Sequence, residues 1–449
     1  MFLQRVEISQ LRSIDRLVLD FTPDATAKGQ PGLRKRTLLL GENGSGKSTV
    51  LRAIALVLAG SDALPALLNE PASWVRNGQK EASIRAVVVS PDGKPQTLAL
   101  TLRPTWNLQQ TLAKNAASLA VLDGALARST RSYFMLGYGV ARRAAHSGPV
   151  LSSTTGFGAH STRASAMATL FSPDAALAPF EQLAMDIDYR LGAAGVAALG
   201  QLLDKMLPGL VFDRIDRNRR EVGFNTPDGS VAFSQLADSH QTMATWCADV
   251  LHRIGIAFDA SKAPLKARGV LLLDALALNL HPAWQRVLPG LLAATFPNLQ
   301  LIATSHAPLL AQQMRAGELY VLERSAPSGG AGLRAVQGDP SQLTLNQLLA
   351  PLFGIATADS QRVQALRSLA KSAPARLSTP QRTELAQLSP VDSLPAAMQH
   401  QLKASAELTQ AIARSSGAAV PQLNLEKLRK NMGERISTAA LRVGKGKTP

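Results

Sequence analysis

The chain has 449 residues and is 46% hydrophobic, which excludes an intrinsically disordered protein and is enough for two or three domains. Its formal net charge of +16 is typical of nucleic-acid binding, with general solubility as the simpler alternative. The single cysteine, Cys247, excludes an intramolecular disulfide and fits a reducing compartment. The first residues lack the layout of a signal peptide, and the apolar stretch 191–203 is too short to span a membrane. We therefore expect a cytoplasmic protein without membrane association.

Alternating apolar residues predict β-structure near the start of the chain. The alternation runs through the first 21 residues and predicts two strands joined by a tight turn around Ser13. Two further apolar runs, 84–89 and 97–102, lie on either side of Pro91-Asp92-Gly93, which is a hairpin signal.

A complete phosphate-binding loop occupies residues 41–48, between a short apolar run and a helical pattern. Its glycines let successive backbone N–H groups turn toward an anion, and the following helix adds the positive end of its dipole. Lys47 is expected to reach the β- and γ-phosphates of ATP, and Ser48 to offer its hydroxyl to Mg²⁺. The residues expected to bind the nucleotide here are Gly41, Asn43, Gly44, Ser45, Gly46, Lys47, Ser48 and Thr49.

Two later strands end in polar residues that complete such a site. The apolar run from Gly269 ends in Asp274, where a ligand for Mg²⁺ or its water belongs. The run 299–304 is followed by Ser305 and His306, and an imidazole in that place can point at a terminal phosphate. An isolated histidine would more often be an ordinary capping residue. We assign Asp274 and His306 as candidate catalytic residues.

The pattern of helices and strands predicts a split core. Residues 105–229 have mostly Ala- and Leu-rich helical patterns, whereas β and α signals alternate again afterwards. We therefore predict a core formed by 1–104 and 230–340, a helical insertion at 105–229, and a basic helical C-terminal extension at 341–449.

Positive charge is clustered along the chain. Residues 341–449 contain 14 Lys and Arg against six Asp and Glu, and residues 125–170 contain five arginines and no carboxylate. This clustering favours a polyanionic partner such as DNA or RNA. The mixed charges of 213–221 are more typical of a solvated face with internal ion pairs. A basic amphipathic pattern at 425–443 suits docking onto the protein's own core, or contact with a partner.

Several motifs beyond the phosphate loop indicate a family. They are Tyr133–Gly139 with Arg142, Leu280-His281-Pro282 with Trp284-Gln285, Phe296-Pro297-Asn298, and Thr304-Ser305-His306-Ala307-Pro308. In this order they resemble ABC-type ATPases, and in detail the RecF/SMC-like branch of AAA ATPases in bacterial anti-phage systems. That branch includes OLD-type, Septu-type and retron-associated ATPases.

The resemblance implies an α/β fold: an ABC-type P-loop ATPase core, made of a mixed sheet with flanking helices, with a helical insertion and a helical C-terminal extension. It also implies ATP and Mg²⁺ as cofactors and a head-to-tail homo-oligomer. By similarity, Arg12 in the first β-turn contacts nucleotide. Ser239 lies in the signature motif, which caps the γ-phosphate held by the partner subunit.

Three positions depart from the family pattern. Ala275 replaces the glutamate that polarises the attacking water, Asn279 replaces a histidine, and Ser239 replaces the signature glycine. We expect ATP to bind while hydrolysis is weak or absent, so whether the chain is an ATP-hydrolysing enzyme stays open. Natural degeneration is favoured by the three independent changes, and a deliberate substitution at Ala275 stays an alternative.

Three functions follow from this reading. The leading one is a sensor or scaffold subunit that controls a partner effector, such as a nuclease, in an anti-phage complex. The alternatives are an active RecF/SMC-like DNA-repair ATPase and the ATPase subunit of a transporter. The tail has too few carboxylates for a two-metal nuclease site, so a partner would supply any nuclease chemistry.

Overall fold

The computed structural model describes part of the chain, and every structural statement below concerns that part. The described residues are 2–22, 34–90, 93–127, 134–144, 162–258, 264–278, 280–324, 330–355, 360–372 and 377–387. Described residues up to Leu348 belong to one compact unit, and those from Leu349 onward belong to a second.

The strands of the first unit form two sheets. Their bounds are β1 (Phe2–Leu11), β2 (Ile14–Asp20), β3 (Arg36–Gly41), β4 (Ala82–Val89), β5 (Pro95–Leu102), β6 (Phe134–Tyr138), β7 (Val211–Asp216), β8 (Glu221–Thr226), β9 (Gly229–Ala232), β10 (Gly269–Leu273), β11 (Leu299–Thr304), β12 (Leu319–Arg324) and β13 (Ala331–Ala335).

The larger sheet has ten strands in the order β5-β4-β1-β2-β13-β12-β3-β11-β10-β6. From β12 to β6 the neighbours run parallel, whereas β5, β4, β1 and β2 pair antiparallel. The smaller sheet is the antiparallel ribbon β7-β8-β9. The result is the mixed α/β sheet with flanking helices that the sequence predicted.

Helices flank and follow these strands. Their bounds are α1 (Lys47–Val57), α2 (Gly60–Leu68), α3 (Leu108–Lys114), α4 (Ala116–Leu126), α5 (Thr162–Ser165), α6 (Ala168–Phe171), α7 (Phe180–Met206), α8 (Asp238–Ala257), α9 (Pro282–Thr295), α10 (Pro308–Ala311), α11 (Leu345–Phe353), α12 (Gln361–Ser372) and α13 (Thr379–Gln387). None of the described helices has the length and apolar character that crossing a membrane requires.

The burial of each strand follows its place in the sheet. In β4, buried and more exposed residues alternate, because one face of the antiparallel half covers the core. Every residue of β10 and β11 is buried, as expected for parallel strands covered on both faces. The main hydrophobic core lies between the antiparallel strands, α1 and α2, and includes Val6, Ile54 and Leu64.

The helical prediction for residues 105–229 is wrong in two places. Phe134–Tyr138 is a strand at the edge of the ten-stranded sheet, and the residues from Val211 to Ala232 form the three-stranded ribbon. A five-residue strand in an Ala- and Leu-rich region carries too short a pattern to be recognised. The domain boundaries themselves stay predictions. The C-terminal amphipathic pattern, 425–443, lies outside the described residues.

Asn115, which precedes α4, and Ser118 in α4 form hydrogen bonds with the backbone of one edge of the large sheet. Asn115 accepts a hydrogen bond from the Thr101 N–H at 2.8 Å and donates to the Thr101 carbonyl at 2.9 Å. Ser118 accepts from the Ala99 N–H at 2.9 Å. Both partners lie on the edge strand β5, so side-chain groups satisfy backbone groups that a further strand would otherwise pair.

We therefore expect Asn115→Ala to destabilise the first unit. The substitution removes three hydrogen bonds, the two to Thr101 and one that Asn115 donates to the Thr111 carbonyl at 2.7 Å. About 1 kcal/mol is lost for each, so about 3 kcal/mol in total. Ser118→Ala, which removes one bond to the same strand, is the matched control and should lose about a third as much. Chemical denaturation measures both, and equal losses would contradict this account of the edge.

Candidate functional site

The phosphate loop lies between β3 and α1, and its backbone is arranged to present N–H groups. Gly41, Gly44 and Gly46 all have positive φ angles, of 146°, 76° and 102°. Gly46 is the N-cap of α1, no side chain caps this end, and the first turn contains no acidic residue. The first N–H groups of an α-helix have no partner within the helix, so they are available to an anion.

Glycine is required here by space as well as by conformation. A Cβ built on Gly41 would lie 2.5 Å from the carbonyl oxygen of Leu322 on β12, and one on Gly46 would lie 3.0 Å from Ser13 Oγ. Arg324 Nη2 also donates to the Gly44 carbonyl at 2.8 Å. The loop is thus held from two sides, and its residues fit a triphosphate.

Lys47 is buried at the centre of this loop. Its Nζ donates to the carbonyls of Gly41 and Glu42 at 2.9 and 2.7 Å. Burial lowers the pKa of Lys47, and the negative charge of Asp274 opposes this effect. The remaining predicted loop residues differ in exposure: Asn43 is exposed, Ser45 is buried, and Ser48 and Thr49 are half-buried in the first turn of α1.

Asp274 follows β10 and is held in place by the neighbouring strand. Thr304, the last residue of β11, donates from Oγ1 to Asp274 Oδ1 at 2.5 Å. The same hydroxyl accepts from the Ala275 N–H at 2.8 Å. This bond fixes the carboxylate, whose remaining acceptor sites could take part in holding Mg²⁺ or its water. One carboxylate and one hydroxyl, Ser48, suit Mg²⁺, which usually keeps waters and phosphate oxygens as its other ligands.

Ala275 has neither a carboxylate nor an ordinary backbone conformation. Its φ angle is 48°, in the left-handed region that a residue with a Cβ rarely adopts. Its carbonyl accepts from Arg142 Nη2 at 3.0 Å. The position after the metal aspartate is therefore structurally defined but cannot supply a base.

His306 lies within the electrostatic reach of the two main charged residues of the site. Desolvation is the main cause that lowers its pKa, the charge of Lys47 lowers it further, and Asp274 opposes both. A histidine whose pKa lies below its ordinary value is neutral at pH 7. The neutral ring can donate a hydrogen bond to a phosphate oxygen, which is compatible with the role expected from the sequence.

Arg12 lies in the turn between β1 and β2. Its guanidinium carbon is 3.6 Å from the ring centroid of Trp74, and its Nε donates to the Ser73 carbonyl at 3.3 Å. Burial lowers the pKa of Arg12, and the like charge of Arg52 lowers it further. Ser13, the next residue, packs close to Gly46. The turn therefore lies against the phosphate loop, as a role in nucleotide binding requires.

Two arginines near the site were missed by the sequence reasoning. Arg52 on α1 donates from Nε to the Leu170 carbonyl at 2.7 Å. Burial lowers its pKa, and the negative charge of Asp274 opposes this shift. Arg324 at the end of β12 bonds the loop at Gly44, as described above. Arg52 comes five residues after Lys47, and this spacing carries no recognised signal.

Ser239 is exposed in the first turn of α8. It lines a small pocket together with Arg142, Trp246 and Leu276, next to the turn that follows Asp274. Its expected contact with the nucleotide of a second subunit stays a prediction. Asn279 lies outside the described residues.

The arrangement defines a class of protein. A phosphate loop after a central parallel strand, with an aspartate, Asp274, at the end of a strand two positions away in the same sheet, is the arrangement of P-loop ATPases. With the antiparallel half joined to this core, the fold is that of ABC-type, RecF/SMC-like ATPases.

Comparisons with known proteins agree with this class. A family model for an AAA domain matches residues 5–116. The Septu protein PtuA of Bacillus mycoides (strain KBAB4) is 26% identical over 325 residues, which cover 72% of this chain and 40% of that protein. The Retron Ec83 probable ATPase of Escherichia coli is 26% identical over 148 residues, covering 32% of this chain and 27% of that protein. The chain is therefore similar in sequence to Septu and retron ATPases.

This chain spans less than half of the length of each of these relatives. Among solved structures, the SMC head domain from Thermotoga maritima has a TM-score of 0.41 and 12% identity, covering 75% of this chain and all of that one. An SMC head bound to the C-winged helix domain of ScpA has the same TM-score and 14% identity, covering 75% of this chain and 98% of that one.

Gly41→Ala should destabilise the protein by more than the cost of placing an alanine at a positive φ. Gly78 also has a positive φ, of 80°, but a Cβ there would meet nothing within 4 Å, so Gly78→Ala is the matched control. We expect the control to be destabilised by about 1 kcal/mol, and Gly41→Ala by a larger amount because of its clash with Leu322. Thermal unfolding and binding of a fluorescent ATP analogue measure both variants, and equal effects would contradict the packing argument.

Proposed function

We propose that the chain binds ATP with Mg²⁺, hydrolyses it weakly or not at all, and acts as a sensor or scaffold subunit of an anti-phage complex. The observation that carries this proposal is the contrast between Lys47 and Ala275. The loop, Lys47 and the Asp274–Thr304 pair have the geometry for holding a nucleotide, whereas the residue after Asp274 has no carboxylate.

The missing carboxylate at position 275 should affect the hydrolysis of ATP and not its binding. When bound, Mg²⁺ would be held by Ser48 and Asp274 and would supply positive charge that offsets the charge of the triphosphate. Attack on the γ-phosphate also needs a group that orients or deprotonates water, and losing such a base lowers rates by about 10²–10⁴. Binding depends on the loop amides, Lys47 and the metal, so it does not require that base.

A nucleotide that persists can hold an assembly together. Anything that binds the assembled state and not the separated state stabilises the assembly by mass action. ATP bound between two head-to-tail copies, with Ser239 of each copy near the nucleotide of the other, would act in this way. The similarity to Septu and retron ATPases supports a defence role in which a partner effector, such as a nuclease, is held or released.

Two other functions are distinguishable from this one. An active DNA-repair ATPase of RecF/SMC character requires turnover and stimulation by DNA; the net charge of +16 suits DNA, and Ala275 opposes turnover. A transporter subunit is opposed by the long separation between Lys47 and Leu236 and by the basic tail. The neighbouring genes separate the three readings: a nuclease or reverse transcriptase, a repair cluster, or a permease.

We expect Lys47→Ala to abolish ATP binding, because it removes the ammonium group that lies inside the loop. Lys35→Ala is the matched control, since the exposed Lys35 donates to the Pro297 carbonyl at 2.7 Å and should have no role in binding. Isothermal titration of each variant with MgATP measures the effect. Unchanged affinity in Lys47→Ala would refute the proposed site.

We expect Ala275→Glu to raise ATP turnover by about 10²-fold or more, because it restores a base next to Asp274. Ala275 already has a left-handed backbone, so a glutamate adds no new type of backbone strain. Ala275→Gln, of the same size but without a base, is the matched control and should stay near the parent rate. Phosphate release measures turnover. A parent chain that already turns over at about one per second, a rate within the range of ordinary enzymes, would contradict the scaffold reading.

A further inference from the structure

Arg142 is a half-buried arginine that does not form an ion pair with any described residue. Its Nη1 donates to the Asp274 carbonyl and its Nη2 to the Ala275 carbonyl, both at 3.0 Å. Burial lowers the pKa of Arg142 to about 10, while the charges of Asp274 and Tyr138 oppose this effect. Removing a guanidinium from water is costly unless its donors have partners, and here two consecutive backbone carbonyls accept from it.

These two bonds complete the hydrogen bonding of the turn after β10. The Asp274 N–H donates to the Tyr138 carbonyl at 2.8 Å, and the Ala275 N–H donates to Thr304 Oγ1 at 2.8 Å. Thr304 in turn donates to the Asp274 carboxylate at 2.5 Å. Every backbone polar group of Asp274 and Ala275 therefore has a partner: Arg142 bonds both carbonyls, and the Ala275 carbonyl also accepts from the Leu278 N–H at 3.0 Å.

The left-handed conformation of Ala275 needs such support. A residue with a Cβ is less stable there by about 1–2 kcal/mol, and it stays only where its surroundings fix it. The Arg142 fork binds the carbonyls of the two peptides that flank the Ala275 Cα. If Ala275 reached a right-handed conformation by a flip of the Asp274–Ala275 peptide, the Asp274 carbonyl would turn away from Arg142 and the Ala275 N–H would turn away from Thr304. The hydroxyl that bonds Asp274 Oδ1 would then lose its other partner.

We propose that Arg142 is a positioning residue for the metal site: by bonding the Asp274 and Ala275 carbonyls it holds Ala275 left-handed and fixes the Asp274 carboxylate for Mg²⁺. This inference rests on the proposed binding of MgATP at the same site. Arg142 acts through the backbone of the turn and does not itself contact the metal or the nucleotide.

The segment that carries Arg142 is tied to residues between α5 and α7. The Gly139 N–H donates to Thr169 Oγ1 at 3.2 Å, and a Cβ on Gly139 would lie 1.9 Å from the Thr169 carbonyl oxygen. After Arg142, the Arg143 carbonyl accepts from the Leu177 N–H at 2.8 Å. These contacts fix the backbone on both sides of Arg142 and so help to place its guanidinium at the turn after β10.

The test measures metal binding separately from nucleotide binding. Arg142→Met removes both donors, and we expect the Mg²⁺ concentration for half-saturation, measured with the ATP complex, to rise by about 10-fold or more, as for other residues that orient metal ligands. ATP affinity in EDTA should change by less than about twofold, because the loop and Lys47 are intact. Arg142→Lys keeps one donor group and should give a smaller rise.

The matched control is Arg36→Met at the start of β3. Arg36 is similarly shielded and pairs with Glu318 at 2.9 Å, so its loss removes a partly buried ion pair without touching the turn after β10. We expect it to lower the melting temperature and leave the Mg²⁺ half-saturation unchanged. A merely structural Arg142 would behave like this control.

A double variant tests whether Arg142 acts through the left-handed conformation of Ala275. Ala275→Gly removes the penalty on the left-handed backbone, so adding it to Arg142→Met should restore at least half of the lost Mg²⁺ affinity on a logarithmic scale. Failure of this rescue would overturn the role assigned to Ala275. If Arg142→Met does not fold, Arg142→Lys and its combination with Ala275→Gly decide in the same way.

The outcomes separate this inference from the proposed function. A parent chain that binds no MgATP contradicts the proposed function. A parent chain that binds MgATP, with unchanged Mg²⁺ half-saturation in both Arg142 variants, leaves the proposed function standing and overturns the inference alone.

Discussion

The Thr304 hydroxyl connects the two strands on which the candidate site depends. It bonds the Asp274 carboxylate and the Ala275 N–H at once, at the ends of β10 and β11. Because β3, β11 and β10 run parallel, their C-terminal ends meet at one edge of the sheet, next to the phosphate loop. The fold therefore brings Lys47 and Asp274 together although more than two hundred residues separate them in sequence.

Positive charge outweighs negative charge around that edge. Burial lowers the pKa values of Lys47, Arg52 and Arg142, and the nearby charge of Asp274 opposes the shift in each case. Several partly desolvated cations around one carboxylate are unfavourable by themselves and become favourable when an anion of several charges is added. A triphosphate is an anion of this kind, and its negative charges would stabilise the cations that folding has partly removed from water.

The sequence predicted the parts of the site that follow a recognised spacing. The loop from Gly41 and the strand ending in Asp274 come from local patterns, and the structure gives both the predicted local conformation. The arginines were harder to predict, because Arg52 and Arg324 bond carbonyls far away in sequence and leave no periodic signal. The strand Phe134–Tyr138 was missed because its five residues were judged by their helical surroundings, whereas its pairing with β10 decides its conformation.

The geometry at Ala275 separates two capabilities that a site of this kind normally combines. A metal site needs the Asp274 carboxylate in a fixed direction, and that direction depends on Thr304, on Arg142 and on the backbone of Ala275 rather than on its side chain. Water activation needs a carboxylate beyond Cβ, which alanine lacks. The turn still keeps a residue in the left-handed region and a guanidinium partly removed from water, and both are unfavourable unless their surroundings compensate. If the site neither bound metal nor activated water, the turn could adopt a relaxed conformation without any loss of function. The strained geometry of the turn therefore favours a site that still holds the metal and its nucleotide.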